Sequence, residues 1–402
     1  MKQRYGLIKV VFNVLVVGSL LGCSLVSRLV PKPTYEPLPP APTWTGGEIT
    51  PVSVPTALPR LEKTALPRPT AVGKATLDEI SVDYVYTAEM ITVIFPLYGS
   101  VLDDFVIVTV QNSGSQTARL LVESEIQGYT DKAIDTVDVA AGDTLEVRQN
   151  PLLKTESIDQ LNAQKPASFR LRVALLQNGE ERTILDETGG TTLFARRDYP
   201  WKIEGFTQHE NFELLTSMVT PNDPAVEALI RAAAEYTDTG TMWNGYGGDV
   251  GDSEGKVWDR LQALWQAEAR DYDLTYISTM VSYAPGDVQR IRLPAEVLEQ
   301  RSGNCIELAL LFASATEALE LETALIRIPG HAYMAVRTDL ENANYYVIET
   351  TMIGQADFAY AVDYGNQEFE DMMPHLSAGE ELYDWITIYE AREKGILPLP
   401  WH

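Results

Sequence analysis

Two patterns of apolar and polar positions divide the chain. The run "DFVIVTVQNSG" is β-branched and closes on Asn112, Ser113 and Gly114. "ARLLVESEI" and "DTVDVAAGDTLEV" follow, the second with a turn at Ala141–Gly142–Asp143. "FRLRVALLQNGEERTILDE" alternates on both sides of Asn178–Gly179, a pair that reaches positive φ readily and marks a two-residue hairpin. Short strands at this spacing predict an all-β antiparallel sandwich over residues 76–199. From Trp201 the period lengthens. "NDPAVEALIRAAAEY" opens a helix with Asp223 at the N-cap and Pro224 at its first position. "GKVWDRLQALWQAEA" sets Val257, Leu261, Leu264 and Trp265 on one helical face. With the later apolar runs "IRIPGHAYMAV" and "NYYVIETT", residues 200–402 read as an α+β domain. Residues 23–75 show neither period. They are rich in Pro, Thr and Ala, which bury no core, and predict a disordered stalk.

The chemistry concentrates at "RSGNCIELA". Pro294 opens a short helix in "PAEVL", and "RSGN" breaks it. Asn304 then N-caps the next helix, with Glu307 three residues on, the spacing of a capping box. "IELALLFASATEALEL" is apolar almost all round, so this helix is central. Cys305 falls at its first position, where the positive end of the helix dipole favours the thiolate. Gly303 admits a close approach by another backbone or a substrate. A lone cysteine is more often a buried small hydrophobe; this neighbourhood points to a reactive, accessible thiol. Of His209, His331, His375 and His402, His331 begins an apolar strand. A hairpin turning near Leu340 sets it opposite Glu349 on one face, and a one-residue slip would part them. A carboxylate there fixes the imidazole tautomer and supports the imidazolium.

Charge and cysteine count narrow the function. The formal charge is −26, and removing residues 1–22, which carry Lys2, Arg4, Lys9 and no acid, takes it to −29. Such a surface repels phosphates, so a nucleic acid partner is not expected. The loop "GYGGDVGDSEG" offers Asp249, Asp252 and Glu254 but lacks the spacing of a calcium-binding EF-hand loop. No metal and no cofactor are expected. The basic start and the apolar stretch Val10–Leu21 read as a signal peptide, residues 1–22, too short to span a bilayer.

Three stretches resemble known families. "LLGC", Leu20–Cys23, resembles the lipobox of bacterial lipoproteins. That resemblance implies cleavage before Cys23, lipidation of its thiol, and a chain held by lipid on the cell envelope outside the cytoplasm. Cys305 is then left without a disulfide partner, and a zinc site of several thiolates is excluded. "VTVQNSGSQTARLLV" is similar to immunoglobulin-like modules of bacterial surface proteins, which names a shape and no activity. "RSGNCIELALLFASATEALELETALIRIPGHAYMAV" with "YYVIETTMIG" resembles the transglutaminase-like cysteine hydrolases, relatives of papain, over residues 275–395, "YEAREKGILPLP" included. The resemblance implies Cys305 as nucleophile, His331 as base and Glu349 as orienting acid. Glu349 stands where Asp is commoner, and Glu320 where a helix-ending Gly is common. The implied reaction is acyl transfer from an amide or peptide carbonyl of a peptide, protein or cell-envelope substrate through a Cys305 thioester. Water as acceptor makes a peptidase or amidase, favoured here, and an amine makes a crosslinker. The Cys305 N–H would be one oxyanion donor, with Gln289 or Tyr283 as a second. Two other readings stay open. One is a catalytically inactive module binding through Trp243, Tyr246, Tyr283, Tyr333, Tyr345 and Tyr346. The other is a spacer that seals Cys305 in its core.

Overall fold

The computed structural model describes residues 46, 49–54, 70–203, 205–247, 253–278 and 288–400. Cys23, Asp249, Asp252, Tyr283 and His402 lie outside these, so the signal peptide, the lipidation site and most of the stalk do too. All the described residues fall in one compact unit.

The strands are β1 (Val52–Ser53), β2 (Thr70–Leu77), β3 (Ile80–Thr87), β4 (Glu89–Met90), β5 (Val106–Asn112), β6 (Ala118–Ile126), β7 (Ala133–Val139), β8 (Thr144–Gln149), β9 (Lys165–Gln177) and β10 (Glu180–Leu193). They continue as β11 (Asp198–Pro200), β12 (Thr275–Tyr276), β13 (Val288–Arg290), β14 (Ser302–Gly303), β15 (Thr323–Ile328), β16 (His331–Arg337), β17 (Asn344–Ile348) and β18 (Asp384–Thr387). The helices are α1 (Thr155–Asp159), α2 (Gln208–Leu214), α3 (Pro224–Ala233), α4 (Ser253–Arg270), α5 (Pro294–Gln300), α6 (Cys305–Ala318), α7 (Phe358–Ala378) and α8 (Ile388–Glu393).

Two sheets, β2-β3-β5-β8 and β4-β10-β9-β6-β7, close over one apolar core. Strict alternation in β3 sends Val82, Tyr84 and Tyr86 inward, against Val108, Leu120, Val122 and Leu171. The β9–β10 hairpin turns on Asn178 (φ 53°) and Gly179 (φ 81°), both left-handed as a primed turn requires. Pairing is antiparallel except between β4 and β10, which run parallel. At 13 and 14 residues, β9 and β10 exceed the short strands expected.

The expected boundaries shift. Sandwich strand β2 starts at Thr70, inside the predicted stalk. Val52–Ser53, also within 23–75, is a strand: Val52 pairs with Tyr345 and Ser53 with Asn344 on β17. Val54 N–H donates to the Ala343 carbonyl at 2.8 Å. The physical reason is the edge of β17, whose unpaired backbone groups this segment satisfies in part. The boundary at 199 is crossed by packing. Ile91, Val93, Ile94 and Leu97, from a 3-10 turn after β4, lie in one core with Trp201, Phe212, Leu264 and Leu310. Glu296 of α5 accepts from Arg197 Nε at 2.6 Å and from Arg196 at 3.1 Å.

The remaining region is mixed, as expected: a five-stranded antiparallel sheet, β1-β17-β16-β15-β18, with helices on both faces. Leu325, Met334, Val336 and Ile348 face the core that holds α6. Ala324, Tyr333, Ala335 and Val347 face Phe369, Met372 and Leu376 of α7. Helix α4 buries Val257, Leu261, Leu264 and Trp265, the face its period predicted. Asp223 caps α3 by accepting from Ala225 N–H, with Pro224 at the first position.

Candidate functional site

The N-terminus of α6 is held by its own sequence. Asn304 accepts from Glu307 N–H, and Glu307 accepts from Asn304 N–H, each at 3.0 Å, which completes the capping box. Glu307 is buried and bound again by Arg292. The guanidinium donates to Oε1 at 2.9 Å and Oε2 at 2.6 Å, and the Arg292 backbone N–H to Oε1 at 2.9 Å. A buried carboxylate with this many donors is a fixed point, and Cys305 sits next to it. Gly303 has a different role from the one expected. A Cβ there would come within 2.9 Å of Leu308 and 3.3 Å of Val297. Its bare backbone packs α5 on α6 rather than admitting a substrate. The accessible thiol is also corrected: Cys305 is 5% exposed.

His331 begins β16, and Glu349 follows β17. The observed register pairs Met334 with Ile348 and Val336 with Tyr346. The turn therefore centres near Glu341, where Asp339 accepts from the N–H groups of Glu341 and Asn342. Glu349 lies across from Tyr333 by this register, two residues along from the expected partner. A two-residue slip keeps the face, and the longer Glu side chain spans the diagonal. His331 Nε2 and Glu349 Oε2 are 2.7 Å apart. Glu349 is 1% exposed, and its Oε1 accepts from Thr351 N–H at 2.9 Å and from the Thr351 hydroxyl. The imidazole stacks on Tyr333, with ring centroids 5.6 Å apart.

Burial by itself would lower the His331 pKa. Hydrogen bonding to Cys305 and to Glu349, together with their charges, outweighs it and pushes the pKa up to about 10. Burial would raise Glu349; the His331 hydrogen bond and charge and the Thr351 donors hold it below the usual carboxylate range. With Nε2 on Glu349, Nδ1 is the ring nitrogen left for another partner.

A residue outside the sequence reading joins them. Glu368 of α7 brings Oε2 to 4.0 Å from His331 Nε2. One ligand atom each from His331, Glu349 and Glu368 all lie within 4.8 Å of one another. The His331–Glu349 hydrogen bond already occupies the space between two of these groups. Gly365, one turn earlier, lets α7 approach β17. A Cβ there would lie 2.6 Å from Val347 O and 3.0 Å from Glu349 N. A glycine in mid-helix was the signal available for it in "FAYAVDYGNQEFED".

Other candidates fall elsewhere. The Gln289 carboxamide oxygen accepts from Trp201 Nε1 at 3.0 Å, and its buried Nε2 has no hydrogen-bond partner. The aromatic recognition surface is not assembled: Tyr333, Tyr345 and Tyr346 are core residues. The Tyr246 hydroxyl accepts from Glu322 N–H, and Trp243 stays 62% exposed. Glu254 accepts from the Tyr346 hydroxyl. His209 pairs with Asp384, and His375 with Glu380.

Against known proteins, no family model matches the chain, and no curated protein does. Among solved structures, a late embryogenesis abundant protein determined in solution is 14% identical over 31% of this chain and 71% of its own, at a TM-score of 0.17. That likeness carries no argument. No helix among the described residues is long and apolar enough to cross a membrane.

Proposed function

We propose that this chain is a lipid-anchored cysteine hydrolase of the transglutaminase-like superfamily, carried behind an immunoglobulin-like sandwich on the bacterial cell surface through Cys23. The observation that carries the reading is the linear order of groups. Cys305 at the head of α6 neighbours His331, whose Nε2 lies 2.7 Å from the buried Glu349 carboxylate. In the step this supports, the Cys305 thiolate adds to an amide or peptide carbonyl, and the Cys305 N–H at the helix N-terminus faces the oxyanion. The C–N bond breaks as the His331 imidazolium protonates the leaving amine, leaving a thioester. His331 then takes a proton from water, which adds to the thioester, and the thiol leaves with the acid released. Glu349 keeps the imidazole tautomer and supports its charge throughout. Hydrolysis is preferred to transfer onto an amine.

A second reading rests on the burial of Cys305: an inactive module that keeps the fold and displays the groove. A thiol-directed activity probe separates the two. The enzyme reading expects labelling of the folded wild type, none of Cys305→Ala, and strong loss in His331→Ala. A folded wild type that stays unlabelled up to about pH 9, beyond the ordinary thiol range, establishes the inactive module. The anchor is tested apart: Cys23→Ser should leave membranes or accumulate as precursor.

A further inference from the structure

Glu368 stands in the site without a part in the reaction above. Its side chain descends from α7 to 4.0 Å from His331 Nε2, against the Glu349 carboxylate. Oε2 is sealed from solvent and receives no N–H or O–H donor. A buried carboxylate oxygen with no donor, facing another carboxylate, is costly as an anion. The same oxygen bearing a proton has an acceptor ready, because Glu349 keeps Oε2 on His331 and takes only Thr351 on Oε1. The groups around Glu368 are few. From its own helix come Asp371 and the phenol of Tyr364; from β16, His331 and Tyr333; after β17, Glu349; and behind His331, Cys305. Only His331 among these bears positive charge.

We propose that Glu368 is a positioning residue of the Cys305–His331–Glu349 site: as a neutral acid it donates its O–H to Glu349 and leaves His331 facing one negative charge, and as a carboxylate it adds a second. The change strengthens the hold on the imidazolium. His331 then takes the thiol proton more readily and returns it to a leaving amine less readily. The inference rests on the reading of Cys305 and His331 as a proton-exchanging pair, and it adds regulation by pH to it. The environment agrees: burial, then the charge and hydrogen bond of Glu349, push the Glu368 pKa up to about 7. The device works where the pH crosses neutrality.

The test is a proton and carbon NMR titration of histidine-labelled full-length protein from about pH 5 to 11, a range that brackets raised carboxyl titrations and an imidazole pushed up to about 10. The His331 resonance is assigned with His331→Gln. In wild type, its ring shift should step near pH 7 without loss of the ring proton. In Glu368→Gln the step should vanish, and the ring's own proton should leave about one pH unit earlier, a tenfold weaker hold. Glu368→Asp keeps an acid on a shorter stem and should keep a step; it also serves where the Gln variant fails to fold. No step in wild type, or a step that persists in Glu368→Gln, overturns the proposal. Turnover is not the readout. A step at His331 in a protein without activity refutes the enzyme and leaves the proton device standing.

Discussion

Among the described residues, two part-buried His–carboxylate contacts of equal length sit in very different surroundings. His331 and Glu349 meet at 2.7 Å, and so do His209 and Asp384. Asp384 is also held by Arg327, whose Nε donates to Oδ2 at 2.6 Å and whose NH2 reaches the same oxygen. Arg327 is fully buried, lies over the Phe212 ring at 4.8 Å, and donates to Gln208 O. The Asp384 charge is thus committed to a guanidinium, and His209 completes a structural pair. Glu349 takes the Thr351 amide and hydroxyl besides His331 and meets no guanidinium among the described residues, so its charge stays available to the imidazolium. His331 also meets a thiol, and Cys305 is the free cysteine among the described residues. A His–carboxylate pair acquires chemistry from the third group it meets and from what else its carboxylate must neutralise.

The two pairs should separate most clearly when each carboxylate is neutralised in turn. Glu349→Gln keeps the shape and removes the charge. Turnover should fall about a thousandfold to ten-thousandfold with the fold intact, the scale seen when a triad acid becomes an amide. Asp384→Asn should do the reverse. It removes the carboxylate that holds the buried Arg327 guanidinium, at a cost of about 3–5 kcal/mol, while the surviving folded protein keeps its activity. Turnover and urea unfolding on both variants decide the matter. Loss of activity in Asp384→Asn at full stability would show that the two pairs had been assigned the wrong way round.

Gly365→Ala attacks one pair only. The added methyl would lie 2.6 Å from Val347 O, and backbone cannot rotate away. Helix α7 must lift from β17, taking Glu368 with it and loosening the 3.2 Å bond from Glu349 N–H to Ala361 O. Overpacking of this kind costs roughly 1–3 kcal/mol, against a helix-propensity gain of about 1. The net loss in unfolding free energy should be modest. The loss of turnover should exceed what stability explains, and the His209 resonances should not move.

How much of this was legible follows from which interactions are local. The Asn304–Glu307 box was readable because a cap is a contact between residues three apart. The shared face of His331 and Glu349 was readable because strand alternation has period two and survives a two-residue error in the turn. Glu368 was hidden. Helix α7 carries Asp363, Glu368, Glu370 and Asp371, and nothing in their spacing says which acid points at the sheet. The edge strand Val52–Ser53 is too short to show any period, and only the open side of β17 gives it a place. Asn366 joins the two, accepting from Val347 N–H at 3.1 Å and donating to Thr50 O at 3.0 Å. The burial of Cys305 depends on everything packed over a helix N-terminus, which a local pattern does not encode.

The His331 pair should also shape the dependence of stability on pH. The folded pKa of His331, about 10, stands above the ordinary 6.5. The stabilisation from the imidazolium is therefore complete below about pH 6.5 and lost as the pH climbs toward 10. Glu368, raised from 4.5 to about 7, works in the same direction over a more acidic window. Glu349 is lowered and opposes both, losing its contribution as the pH falls. The melting temperature of the wild type should decline from mildly acid to alkaline conditions, and His331→Gln should flatten the alkaline limb. A wild-type melting temperature that rises between pH 7 and 10 contradicts a proton held on His331, since that range spans the interval from the ordinary imidazole value upward.

The smallest effect should come from the far end of the same helix. After α6 the chain closes a Schellman turn: Leu321 N–H donates to Thr316 O at 3.0 Å, and Glu320 N–H to Glu317 O at 2.8 Å. Glu320 holds the left-handed position with φ 57°, which a side chain disfavours and glycine takes freely. Its carboxylate compensates weakly, accepting from the Asn244 side chain at 3.3 Å on the surface. Glu320→Gly should therefore raise unfolding free energy by up to about 1 kcal/mol, the ordinary cost of a non-glycine residue in this conformation. Turnover, the His331 titration and the reactivity of Cys305 should stay at their wild-type values, because Asn304, Glu307 and Arg292 fix the other end independently. A shift in the His331 titration on this substitution would mean that α6 moves as a rigid rod and that its cap alone does not hold the thiol in place.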